Sequence, residues 1–461
     1  MSARASRVPG LRGDQPQGRR KTKAQEGKAV TKPWIIAIAA AGLAAACSDP
    51  QVILPGKREN LRAETAEAQV NQALPISLPA TVANADWQQS HGTPAHRIAH
   101  PALSAAPALA WSRDIGAGDS RRGRITADPV VAGGRIFTLD AGAQLRAHDT
   151  AGQVLWSRDL TPANARPGQA TGGGIAHEGG RVYVSSGFGV LAALDAQTGA
   201  VIWEQRLDAT GSGTPTVAGD LVYLVTGDSR GWAVEKSNGR IRWQLDGTPS
   251  ISNVLGAAAP VVTDQLVVFA YGSGDVQGAF RQGGLRLWDS AVTGQRRQDA
   301  AGKIMDITGD PVLAEGRLFV GTSSGRMVAL NPGNGERIWT AQEGTLNPVW
   351  VAGGSVFMIS DRNQLMRLDA ATGARIWAVD LPRFTTDRPR RMVELYAHYG
   401  PVLAGGRIVV ASGDGALRFF DPASGALTHE VAVPGGATSA PVVAGGVLYV
   451  VSRRGQLHAF R

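Results

Sequence analysis

LAALDAQTGAVIWEQRL, residues 191 to 207, holds a strand, a tight turn and a second strand. The apolar and alternating runs on either side have the period of a β-strand. Between them lies Asp-x-x-Thr-Gly. The Asp195 carboxylate can accept hydrogen bonds from the backbone amides ahead of it, and Gly199 takes a positive φ without a Cβ penalty. The same phrase returns as LMRLDAATGARIWAVDL, residues 365 to 381, with EKSNG (235 to 239), NPGNG (331 to 335) and DPASG (421 to 425) as variants of the turn.

Just before each such phrase stands another hairpin. AGGRIF (132 to 137), EGGRVY (178 to 183), AGDLVY (218 to 223), TDQLVV (263 to 268), AEGRLF (314 to 319), AGGSVF (352 to 357), AGGRIV (404 to 409) and AGGVLY (444 to 449) make eight copies. Each follows a short apolar strand that often begins with proline, as in DPVV (128 to 131) and DPVL (310 to 313). A strand's first residue need not donate to the ladder, so proline fits there. The unit is therefore four short antiparallel strands per roughly 45 residues, which is the period of a propeller blade.

A large aromatic closes each unit, Trp at 156, 203, 243, 288, 339 and 377 and His429 in the seventh. Burying such a ring between neighbouring blades is worth a few kcal/mol, so packing rather than ligand binding is its expected role. The eighth copy ends at Arg461 after three strands, and ALAWSRDIG (108 to 116) supplies a fourth strand with its own Trp111 and no preceding three. The expected fold is all-β, an eight-bladed β-propeller of four-stranded antiparallel blades closed by an N-terminal strand. Closure removes the open sheet edges that invite aggregation.

The ring accounts for residues 108–461. Upstream, residues 1–46 read as a signal peptide: a basic stretch, then the 14 uncharged residues Pro33 to Ala46. That run is short of the roughly 20 residues a membrane-spanning helix needs. It ends at Cys47, the one cysteine of the chain. Leu43 and Ala44 to Ala46 before it resemble the lipobox of bacterial lipoproteins, which implies a lipidated Cys47 as the mature N-terminus. A plainly cleaved signal peptide and an uncleaved anchor are the alternatives. Ser48, in place of an Asp, points to the outer membrane. Residues 47–107 read as a lipid-anchored tether, with Trp87 a candidate for docking it on the ring.

Charge follows the same division. Residues 1 to 46 carry nine of the 47 Lys/Arg and two of the 38 Asp/Glu, leaving 38 against 36 and a net charge of +2. The basic excess belongs to the presequence, so no nucleic-acid surface is expected. With one cysteine, no intramolecular disulfide can form.

The repeat with its closing A-x-x-G-x-x-x-W resembles the quinoprotein repeat, which two families share. One comprises the PQQ-dependent periplasmic dehydrogenases, whose propeller holds the quinone and Ca²⁺. The other is the BamB family, lipoproteins of the outer-membrane β-barrel assembly machinery. The first implies adjacent cysteines over the cofactor and a carboxylate set for the metal. This chain lacks a second cysteine and has no Asp/Glu run with loop-ligand spacing. The Gly172 to Gly174 run lacks the residues of a phosphate loop. The BamB resemblance implies a non-catalytic scaffold without cofactor or small-molecule substrate. Its partner would be the central β-barrel subunit, met through loops entering the fourth and fifth blades. The corresponding residues are Asn253, Val254 and Leu255 in the first loop and Asp306, Ile307 and Thr308 in the second.

Overall fold

Each repeat forms one four-stranded antiparallel sheet, and eight such sheets make up a β-propeller. The structure is a computed structural model that describes residues 71–461 except 99, 167, 210–212, 251–256, 293 and 295–305. In chain order the first seven blades span 130–159, 173–206, 216–246, 261–291, 312–341, 350–380 and 398–432. The eighth joins three strands within 442–460 to the strand Leu109–Asp114, in the order first, second, third, then the N-terminal strand outermost. Trp111 stands opposite Ala459 and Asp114 opposite Gln456. The ring therefore closes as the missing strand requires. The segments read as a signal peptide and, up to residue 70, as a tether, with Cys47 between them, lie outside the described residues.

Burial grades across each blade. Second strands such as Leu221–Thr226 and Val447–Ser452 are buried along their whole length. Outer strands such as Ile241–Asp246 alternate between exposed and half-buried. Three strands are sandwiched between neighbouring sheets, whereas the fourth meets solvent along its edge.

The turns behave as their chemistry dictates. Asp195 Oδ1 accepts from the amides of Gln197 (3.0 Å) and Thr198 (2.8 Å) and from the Thr198 hydroxyl (2.8 Å). Asp369 repeats the arrangement with Ala371 and Thr372.

The closing tryptophans join blades in two ways. Within a sheet, Tyr183 pairs with Ala193 and Ala193 with Trp203, so a small residue lets two rings meet across the middle strand, 6.0 Å apart. Blades 1, 3 and 5 repeat this with Ala147, Ala233 and Ala329 in the middle. Between sheets, the indole Nε1–H of each closing Trp of blades 1 to 6 donates to a carbonyl in the next blade's turn, for example Trp156 to Ala196 at 3.1 Å and Trp339 to Ala370 at 3.0 Å. The turn glycine faces that indole. A Cβ on Gly373 would lie 2.6 Å from Trp339, and one on Gly199 2.6 Å from Trp156. Glycine at this position is required both by its positive φ and by the ring against it. His429 replaces Trp where the next blade has no such turn, and its Nε2 stands 3.5 Å from the Pro107 carbonyl leading into the closing strand.

Candidate functional site

The first strands of a propeller line its axis, and their channel-side edges carry backbone N–H and C=O groups with no strand beyond them. Here the segment 84–101 lies against those edges and touches all eight blades. Trp87 exchanges backbone hydrogen bonds with Val131 of blade 1, 2.7 and 2.9 Å. The Gln88, Pro94 and Ala95 carbonyls accept from His177, Val262 and Leu313 of blades 2, 4 and 5. Gln89 brackets Val217 of blade 3 with its side-chain amide. His91 and Trp87 pack on Trp350 of blade 6, with the two indoles stacked at 6.2 Å. Pro101 accepts from Gly405 of blade 7 and Asn84 from Gly445 of blade 8. Upstream, Asn71 pairs with Ala378 on the outer strand of blade 6.

The reading of residues 47–107 as a tether is corrected over residues 71–107, which Trp87 docks on the ring as expected but as part of a longer packed segment. Over its described part the segment is a plug built into the ring, and Trp87 is 3% exposed within the main core. The physical reason is that the axis offers unpaired backbone groups and an apolar wall, which an Ala/Pro-rich chain with one tryptophan and three histidines can fill.

Above the plug a cavity of about 540 Å³ remains, bounded by residues of the plug and of the loops between blades. Two of its carboxylates, Asp128 and Asp310, are tied to the wall. Asp310 Oδ1 accepts from the Ala259 amide at 2.7 Å, and its Oδ2 takes the Ser90 hydroxyl of the plug. Asp128 Oδ1 accepts from the Ala440 amide, also at 2.7 Å. Both Asp residues precede the proline that opens a first strand, and both bind the residue before the corresponding proline of the preceding blade. Burial raises the Asp128 carboxyl, the Ala440 amide opposes it and the neighbouring Asp310 adds to it, and together they leave it pushed up to about 7.

Burial favours the neutral form of two histidines in the plug. Burial lowers His91 to about 4, and its Nε2 has no hydrogen-bond partner. Burial also lowers His96, whose Nδ1 donates to the Pro311 carbonyl at 2.7 Å. His96 Nε2 is thereby the acceptor facing the Thr216 hydroxyl at 3.4 Å. His100, four residues on, turns away to the Pro79 carbonyl and the Gly406 amide. Among the described residues no group of three or more His, Cys, Asp or Glu could hold a metal ion. With a single cysteine in the chain as well, the described residues do not fit a quinone and Ca²⁺ site of the dehydrogenase kind.

The residues expected to meet a partner divide three ways. Asn253, Val254 and Leu255 lie outside the described residues. Thr308 is half-buried at the cavity and donates its hydroxyl to the Leu346 carbonyl at 3.0 Å. Asp306 and Ile307 are corrected: each is 1% exposed, and Ile307 packs in the core between blades 4 and 5. A loop that drops from the outer strand of one blade to the axis of the next must cross the inter-blade core, and these two residues sit at that crossing. The plug was not foreseen, although the aromatic and histidine content of 87–100 was visible.

The family model described as "Outer membrane protein assembly factor BamB" matches residues 141–379 and 385–461. A Yersinia pestis protein of that name is 26% identical over 365 residues, covering 77% of this chain and 89% of its own length. Among solved structures, BamB from Moraxella catarrhalis superposes with a TM-score of 0.64 at 18% identity, covering 77% of this chain and 100% of its own. A quinohemoprotein alcohol dehydrogenase from Comamonas testosteroni does so at 0.62 and 15%, covering 81% and 80%. At these identities the two structures speak for the fold alone.

Proposed function

The chain belongs to the family of the outer membrane protein assembly factor BamB, and from that premise we propose that it is a non-catalytic scaffold subunit of the outer-membrane β-barrel assembly machinery. It is held at the outer membrane through a lipidated Cys47, faces the periplasm, and binds the periplasmic domains of the central barrel subunit. The observation carrying this reading is the family match, which runs from the first blade to the last strand. The chemistry of the axis supports it: Asp128 and Asp310 are spent on backbone amides of neighbouring blades, and the plug occupies one end of the channel. The PQQ-dependent dehydrogenase reading finds no matching donor set.

For the partner face, the reading keeps the loops entering blades 4 and 5 through Asn253, Val254, Leu255 and Thr308. Asp306 and Ile307 serve as the buried footing of the second loop. Capture of the detergent-solubilised chain from its own membranes tests all of this at once. A β-barrel protein with periplasmic repeat domains should be recovered, and Leu255→Asp with Thr308→Arg should reduce its yield without altering the fold. Labelled palmitate should enter the wild type and not Cys47→Ser. Recovery of a cytochrome or a bound quinone in place of the barrel would overturn the reading.

A further inference from the structure

The connection between blades 6 and 7 is longer than a simple crossing. Residues 383–396 fold back on themselves: Phe384 bridges Leu395, the Thr385 amide donates to the Glu394 carbonyl and the Tyr396 amide to the Arg383 carbonyl. The base of this hairpin, Glu394 to Ala397, lines the cavity. Its tip carries Arg388, Arg390 and Arg391, all exposed, followed by Met392 and Val393, which are 38% and 84% exposed.

Elsewhere among the described residues, the exposed large apolar side chains fall chiefly on the outer strands, as in Val154, Leu287 and Leu427. Scattered singly in this way they need no explanation. At the cavity they gather. Leu395 is 45% exposed and Leu346, from the connection between blades 5 and 6, 39%; both line the cavity. Arg124 and Arg453 line it as well, with exposed Arg121 and Arg122 beside Arg124. The chain beyond residue 46 is nearly neutral, at 38 positive against 36 negative groups. Residues 383–396 hold four arginines against Asp387 and Glu394, and Arg121, Arg122 and Arg124 stand beside Asp119, which ion-pairs with Arg124 at 3.5 Å, so the arginines form a local positive excess rather than a property of the whole surface.

We propose that this cavity and its arginine-bearing hairpin form a docking site for an acidic, extended segment of a partner protein. The segment seats an apolar side chain between Leu346 and Leu395 and lays its carboxylates on Arg388, Arg390 and Arg391. An apolar pocket surrounded by polar and charged groups is the anatomy of a binding hot spot, and arginine presents a fork that matches a carboxylate. A concave apolar lip fits an inserted side chain, whereas a flat lipid surface would leave the cavity unfilled. This site goes beyond the family-based partner face: Thr308 of that face lines the same cavity, but Arg388, Arg390 and Arg391 belong to this site alone, so their charge reversal tests it apart from that face.

The test uses the full chain in detergent and a fluorescent 12-residue peptide of alternating Glu and Leu, read by anisotropy. The expected result is saturable binding that weakens at least about tenfold in Arg388→Glu/Arg390→Glu/Arg391→Glu, since three attractive contacts become repulsive. A charge-matched control on outer strands and turns, Arg158→Glu/Arg206→Glu/Arg240→Glu, should change it less than about twofold. Leu346→Ser/Leu395→Ser should weaken it with all charges intact. Both leucines and the hairpin arginines are exposed, so melting curves of these variants should overlay the wild type. Equal losses in the two arginine variants would reduce the effect to net charge and overturn the proposal. So would equal binding of a peptide with Gln in place of Glu, or hairpin-dependent binding of phosphatidylglycerol vesicles without binding of the peptide.

Discussion

Truncating Trp87 separates a plug from a tether. The indole is 3% exposed, stacks on Trp350 at 6.2 Å and sits where the backbone exchanges two hydrogen bonds with Val131. Burying a side chain of that size removes about 150–250 Å² from water, worth about 4–6 kcal/mol at 25 cal/mol per Å². Measured truncations of buried Trp and Phe to Ala cost about 3–5 kcal/mol, so Trp87→Ala should lose about 4. In urea, with m of about 3 kcal/mol/M or more for a chain of this size, the midpoint should fall by about 1 M. Circular dichroism is the suitable probe, because the substitution itself changes the fluorescence. Limited proteolysis should then cut between 71 and 107 in the variant under conditions that leave the wild type intact. A solvated tether predicts instead a surface-like change within about 0.5 kcal/mol. A midpoint shift under about 0.2 M would refute the plug and return Trp87 to the linker.

Three further outcomes follow from the ring and its axis. Gly373→Ala should be more destabilising than Gly134→Ala: both have φ near +70°, but the new Cβ meets Trp339 at 2.6 Å in the first and nothing within 4 Å in the second. Equal urea midpoints would remove the glycine and indole contact as a determinant. Deleting residues 108–113 strips blade 8 of its outer strand and should lower stability by well over the ~0.5 kcal/mol of a surface change, and wild-type melting would mean closure by another route. Asp128 binds its proton more tightly in the folded state, where its value stands at about 7. The stability that proton supplies is therefore present below the ordinary carboxylate range and lost as pH rises through about 7. Asp128→Asn, which keeps an acceptor for the Ala440 amide, should be more stable than wild type at pH 8, with the advantage shrinking toward pH 4. A gap that stays constant between pH 5 and 8 would contradict this assignment.

How far the chain could be read without coordinates depended on the distance between interacting residues. Four strands, their turns and the closing aromatic lie within one repeat, and period-2 patterning with Asp-x-x-Thr-Gly chemistry is local. Hence the blade count, the incomplete eighth copy and the pairing of Leu109–Asp114 with the last strand were all legible. The turn glycine was legible for half of its reason. Its positive φ is local, but the indole packed against it belongs to the preceding blade. The partner loops show where such reading stops. Ile307 looks like an exposed apolar residue beside a carboxylate, yet it is buried because the crossing between blades passes through a core made by residues from both sides. The plug is the extreme case. Trp87 finds Val131 and Trp350, and Asn84 finds Val443, 359 residues away; only closing the ring creates the axis that they fill. Sequence alone determined the repeating unit and its number, because local hydrogen bonding and side-chain alternation specify a blade. The tertiary structure decided what occupies the axis and which loop residues reach solvent, because those depend on surfaces that exist only once eight blades stand around one centre.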